Sequence, residues 1–186
     1  MDGGMNSDRT QAAAREQLYR HLLRTLRMLP AESALSLVHP ELPEARLHRG
    51  VILPCEDADP EVDAEFFDIA YWLTGVASEV AGECFDLIVR AWIGFGWPTR
   101  ADRESPPRAA YTRTPDQFGL SVRESVDGYV SLSGATPPFA RDTPAGDPFP
   151  QTIEYQLSSP DGAGPDSISP ATVTDPAAQP DHRDPG

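Results

Sequence analysis

Lysine is absent from this chain: all 15 basic residues are arginine, set against 29 aspartates and glutamates. The net charge of −14 argues against a nucleic-acid role, because a phosphate binder needs a basic face that releases counterions. Anionic membrane surfaces are disfavoured on the same ground. Asparagine occurs once, while alanine, proline, aspartate and glycine are abundant, a bias typical of GC-rich coding sequences such as actinobacterial ones. Two cysteines, Cys55 and Cys84, are too few for a disulfide scaffold and lack a metal-ligand spacing; whether they pair is left open. Long apolar runs are missing too, and no stretch reaches the ~18 residues of a membrane span. The start, MDGGMNSDRT, has neither the basic opening nor the apolar core of a secretory signal. As written, the sequence reads as cytoplasmic; a true start further upstream would move that expectation to the cell envelope.

What is present is side-chain periodicity. Phe118, Leu120 and Val122 alternate with Gly119, Ser121 and Arg123, and Val130 and Leu132 alternate with Tyr129, Ser131 and Ser133. Between them lies Asp127-Gly128, a pair suited to tight-turn angles, so the segment predicts a β-hairpin. Near the N-terminus, Leu18, Leu22, Leu26 and Leu29 recur at spacings of three and four, which predicts a helix from Asp8 to about Leu29. Ser7 or Asp8 would cap it, and Pro30 would stop it. Its arginines Arg9, Arg15, Arg20, Arg24 and Arg27, with His21, form either a basic stripe for a partner or a solvated helix side.

Ala34–His39 and Val51–Leu53 predict short strands, and Phe66–Leu73 a central strand with both faces at least partly covered. A second helix is expected over Ala77–Phe95, with Val80, Cys84, Leu87, Ile88, Ala91 and Phe95 inward and Trp97 packing back on the sheet. Ala109–Arg113 should lead into the hairpin. The segregation of these elements predicts an α+β fold, a two-layer sandwich of an antiparallel sheet with two main helices. Residues 9–139 would form that domain, after a disordered N-terminus over 1–8. Residues 140–186 are dense in Pro, Asp, Gly, Ser and Ala and are expected to be a disordered tail. Within it, Thr152–Leu157 is the one piece able to add a strand.

Candidate chemistry is sparse. Asp57, Asp59, Glu61, Asp63 and Glu65 alternate along an acidic loop, but Val62 stands where a calcium loop needs glycine, so a solvated loop is the simpler reading. Cys84 falls on an apolar helix stripe, and Cys55 sits among acids, the wrong surroundings for a nucleophile. His21, His39, His48 and His182 form no ligand spacing, and no phosphate loop, dinucleotide fingerprint or serine elbow occurs. No catalytic, cofactor or metal residue is assigned. Tyr71, Trp72, Trp92 and Trp97, with Phe95, would either fill the core or wall a ligand pocket between helix and sheet.

Several pieces together resemble the small actinobacterial, especially mycobacterial, lipoproteins of the LppA-like kind. They are the helix QAAAREQLYRHLL, the step Pro54-Cys55-Glu56, the aromatic strand, the long helix ending in Gly96-Trp97, and the closing SGATPPF. The resemblance implies a secretion signal, a lipidated cysteine and a disulfide from Cys55 to the closing motif. Here Pro138 occupies the place of that second cysteine. The family carries no activity to transfer. The expected function is a non-catalytic envelope-type or interaction domain with a protein partner; the alternatives are a carrier of a small apolar or lipid ligand, and an enzyme.

Overall fold

Thr10 opens the first helix. Its side-chain oxygen accepts a hydrogen bond from the Ala13 backbone N–H at 3.2 Å, and helix α1 runs over Gln11–Leu26. In the computed structural model, which describes residues 9–55 and 63–155, the expected caps Ser7 and Asp8 lie outside the described residues. Ala14, Leu18, Leu22 and Leu26 are wholly buried, as their spacing predicted, each leucine contributing about 1.5–3 kcal/mol of burial. The strands β1 (Ala34–Ser36), β2 (Val51–Pro54) and β3 (Ala64–Thr74) follow, then helix α2 (Ser78–Gly94). Six more strands follow among the described residues: β4 (Thr99–Ala101), β5 (Arg108–Arg113), β6 (Gly119–Glu124), β7 (Val130–Ala135), β8 (Phe139–Ala140) and β9 (Thr152–Glu154).

All nine strands join one antiparallel sheet, in the order β4-β5-β6-β7-β3-β1-β9, with β2 and β8 flanking the first half of β3. The central place of β3 is as expected. Its odd-numbered residues Phe67, Ile69, Tyr71 and Leu73 enter the core beneath the helices, joined by Leu120, Val122, Leu132 and Ile153 from the neighbouring strands. The fold is therefore α+β, with both helices on one side of the sheet.

Three expectations need correction. On α2 the inward residues are Ala81, Cys84, Phe85, Ile88, Ala91 and Trp92; Val80 is exposed, and Leu87 and Phe95 are only half-buried. Trp92 decides the rotation, because its indole N–H donates to Thr25 Oγ1 of α1 at 3.0 Å and ties the helices together. The hairpin forms, but Asp127-Gly128 does not make a two-residue turn. Ser125 N–H donates to the Tyr129 carbonyl at 2.9 Å and Gly128 N–H to the Ser125 carbonyl at 3.1 Å, a three-residue loop in which only Gly128 has a positive φ, of 83°.

The third correction concerns the domain boundary. Residues 140–155 belong to the ordered body. The backbone N–H of Ala12 donates to the Pro144 carbonyl, that of Gln11 to Thr143 Oγ1, and the Tyr71 hydroxyl to the Pro150 carbonyl at 2.7 Å. Phe149 stacks on Phe67 with ring centroids 5.1 Å apart, and Ile153 is buried where β9 pairs with β1. Anchors at separate points hold a segment whose own composition is poor in apolar residues. The expectations for 1–8 and 156–186, and for His182, lie outside the described residues.

Candidate functional site

The four aromatic residues expected to wall a pocket do not share one. Tyr71 and Trp72 are neighbours on β3 and point to opposite faces of the sheet, as the two-residue period of a strand requires. Tyr71 and Trp92 are wholly buried, and burial pushes the Tyr71 phenol well above its ordinary value. Trp97 is buried against His21 and Phe95, with centroids 5.3 and 5.0 Å away. These side chains are core. Phe95 lies at the helix end beneath the Arg24 guanidinium, 4.0 Å from its centroid.

The remaining candidates are dispersed. Cys84 is buried, with its thiol pushed up by burial and then by Glu83 and Glu32; Cys55 is half-buried, and both are free thiols. Asp63 and Glu65 pair with Arg141 at 2.8 and 3.0 Å, while Asp57, Asp59 and Glu61 lie outside the described residues. His21 faces inward, 3.1 Å from Asp116, and leaves the basic side of α1. The rest of that side is broken up: Arg20 pairs with Glu16, and Arg9, Arg15 and Arg24 lie over the rings of Phe118, Phe67 and Phe95. Among the described residues no three of His, Cys, Asp and Glu come close enough to hold a metal ion.

The surface without helices presents a different picture. Register aligns its outward side chains in rows across β4, β5, β6, β7 and β3. One row reads Arg100, Tyr111, Ser121, Ser133, Ala70; the next reads Ala109, Arg123, Ser131, Trp72; a third reads Arg113, Gly119, Ala135, Asp68. Small residues occupy the middle, so the face is hollowed. One hollow of about 410 Å³ is lined by Asp68, Arg100, Tyr111, Arg113, Ser121 and Ser133 among others. Another, of about 440 Å³, includes Trp72, Tyr111, Arg123, Tyr129 and Ser131, so that Tyr111 stands between the two.

The electrostatics of this face oppose those of the whole chain. Arg100, Arg113 and Arg123 are exposed, and none is paired with an acid among the described residues. Asp68 lines the first hollow, and Asp102 and Glu124 line the second. Burial raises the Asp68 pKa, against the opposing pull of His48 at 3.6 Å, the Ile69 backbone N–H and Arg123. Trp72 carries a buried indole N–H without a partner among the described residues and meets the His39 ring edge-on at 5.9 Å. His39 also packs against Tyr129, so the loop after β1 walls one end of the face. Sequence reasoning registered Ser121, Arg123, Ser131 and Ser133 only as the polar side of a hairpin. The available signal was that this polar side carries arginine and serine and no acid.

Scans against protein-family models, curated proteins and solved structures find no match to this chain. No helix among the described residues is long and apolar enough to cross a membrane.

Proposed function

We propose that the chain is a non-catalytic interaction domain that receives an acidic segment of a protein partner on the helix-free face of its sheet. The observation that carries this reading is the set of three arginines, Arg100, Arg113 and Arg123, unpaired among the described residues, around Tyr111 on a sheet face that no described helix covers. Guanidinium groups recognise carboxylates through paired donors, and tyrosine and tryptophan supply contact area at low entropic cost. The net charge of −14 steers polyanions such as nucleic acid away, so a short segment with a few carboxylates suits the face better than a long phosphate polymer. The envelope-type role suggested by the LppA-like resemblance is part of the same proposal, and the partner would then be another envelope protein.

Fluorescence anisotropy with a labelled glutamate- and aspartate-rich peptide tests it. Binding should weaken as salt rises and fall roughly tenfold or more in Arg113→Glu/Arg123→Glu, each lost contact being worth on the order of 1 kcal/mol. Equal binding by the variant, or no binding at low salt, would sink the proposal.

A further inference from the structure

The edge strand β2 carries a second surface, independent of the arginine face. Val51, Ile52 and Leu53 are 37%, 46% and 40% exposed, and Pro54 is exposed as well. A strand whose every residue faces solvent normally carries charge or an inward-turned polar group to prevent pairing with another chain. Here three consecutive large apolar side chains take that place.

The hydrogen-bonding row of this edge can be read from the register. Cys55 N–H donates to the Ala64 carbonyl at 2.9 Å, and Leu53 and Val51 lie opposite Phe66 and Asp68. Antiparallel pairing alternates, so the odd positions turn their backbone groups to β3 and the even positions turn theirs outward. Ile52 therefore turns both its N–H and its C=O to the sheet edge, where no described residue bonds them. Pro54 has no N–H and occupies an outward position, where an edge strand tolerates proline.

We propose that β2 is the seam of a homodimer, in which two copies pair antiparallel along Val51–Leu53 about a two-fold axis at Ile52. In that register Ile52 of each copy exchanges both backbone hydrogen bonds with Ile52 of the other. Val51 then stands opposite Leu53 on either side of the axis, so apolar meets apolar throughout. Charge selects the direction and the occupant. In sequence, Arg46, His48 and Arg49 lead into the strand and an acidic run beginning at Glu56 follows it. Antiparallel self-pairing brings the basic lead of one copy to the end of the strand from which the partner's acids depart; parallel pairing would set like charges together. Arg46 and Arg49 are exposed and have no acidic partner among the described residues. The seam is short, so the association is weak and dependent on concentration.

Sedimentation equilibrium of the full chain, from low to high micromolar concentration, gives the first test, with dimer mass appearing as concentration rises. Ile52→Arg should remain monomeric at every concentration with an unchanged melting temperature when dilute. In a Cys55→Ser background, Ile52→Cys should form a disulfide-linked dimer on mild oxidation, because residues opposed in such a pair have Cα atoms about 5.5 Å apart, within disulfide reach. Ile93→Cys in the same background, exposed on α2, is the control and should form no disulfide-linked dimer. Monomer mass throughout, a dimer that survives Ile52→Arg, or equal cross-linking of the two cysteine variants would each overturn the proposal. So would a monomer whose Ile52 amide is protected from hydrogen exchange, since the chain's own flanking segment would then cover the strand.

Discussion

Asp116 joins the loop after β5 to helix α1 through one carboxylate. It accepts from the Thr114 hydroxyl within the loop between β5 and β6, and it meets His21 Nε2 of α1 at 3.1 Å. Thr114 Oγ1 in turn accepts the Phe118 backbone N–H at 2.9 Å, and the His21 ring lies between Trp97 and Phe118. The loop has the same hydrogen-bond pattern as the hairpin turn, with Gln117 at φ 73° where the hairpin uses Gly128. Burial alone would raise the Asp116 pKa, but the hydrogen bonds from Thr114 and His21 and the His21 charge outweigh it and hold the value below the ordinary one. A carboxylate held low stabilises the fold at any pH above its unfolded value of about 3.9, and that contribution is lost as pH falls through the lower folded value. Asp116→Asn should therefore lower the melting temperature at neutral pH. The gap to the natural chain should close as thermal melts are repeated below about pH 4, where the unfolded carboxyl also takes up its proton. A gap that stays constant across that range would show the side chain to act by shape alone.

At the scale of elements, periodicity was readable wherever one face alone is apolar. The α1 stripe and the alternation in β6 and β7 belong to this class, and so does the α+β arrangement they imply. Helix α2 was misread because it is apolar on more than one side: Val80, Leu87 and Phe95 fit a three-to-four spacing as well as Phe85 and Trp92 do, and tertiary partners such as Thr25 and Arg108 choose between them. The arginine face was not legible because its charges come from residues 100, 113 and 123, on three strands, and register alone sets them together. Residues 140–155 were misassigned for a related reason. Their composition cannot support an independent core, yet they fold by borrowing one. Ile153 sits 1% exposed in the core where β9 pairs with β1, although it belongs to a strand of three residues. Ile153→Ala should cost about 2–5 kcal/mol in chemical denaturation, as for a residue of a central strand. A cost below about 0.5 kcal/mol, the range of exposed positions, would show that the segment does not dock.

Across the whole molecule the arginines divide by what surrounds them, and the division separates stability from recognition. Arg108 is a structural residue. Its guanidinium is 11% exposed, lies 4.1 Å over the Phe85 ring, pairs with Glu124 at 6% exposure and with Asp86 at 2.9 Å, and caps the Gly82 carbonyl of α2. It thereby fastens α2 to the β5–β6 pair. Arg108→Ala would leave the buried Glu124 carboxylate without a counter-charge, and breaking such a pair from one side costs about 3–5 kcal/mol. Arg100, Arg113 and Arg123 have the opposite surroundings: they are exposed on the helix-free face and unpaired among the described residues. Replacing any of the three by serine should move stability by less than about 0.5 kcal/mol. Denaturation and peptide binding measured on the same four single variants read this division directly. Arg108→Ala should lose stability and, where folded, keep its affinity for the acidic peptide. The three serine variants should keep stability and lose affinity. If the serine variants instead unfold as readily as Arg108→Ala, the arginines of the open face are holding the sheet together, and the case for a docking surface there fails.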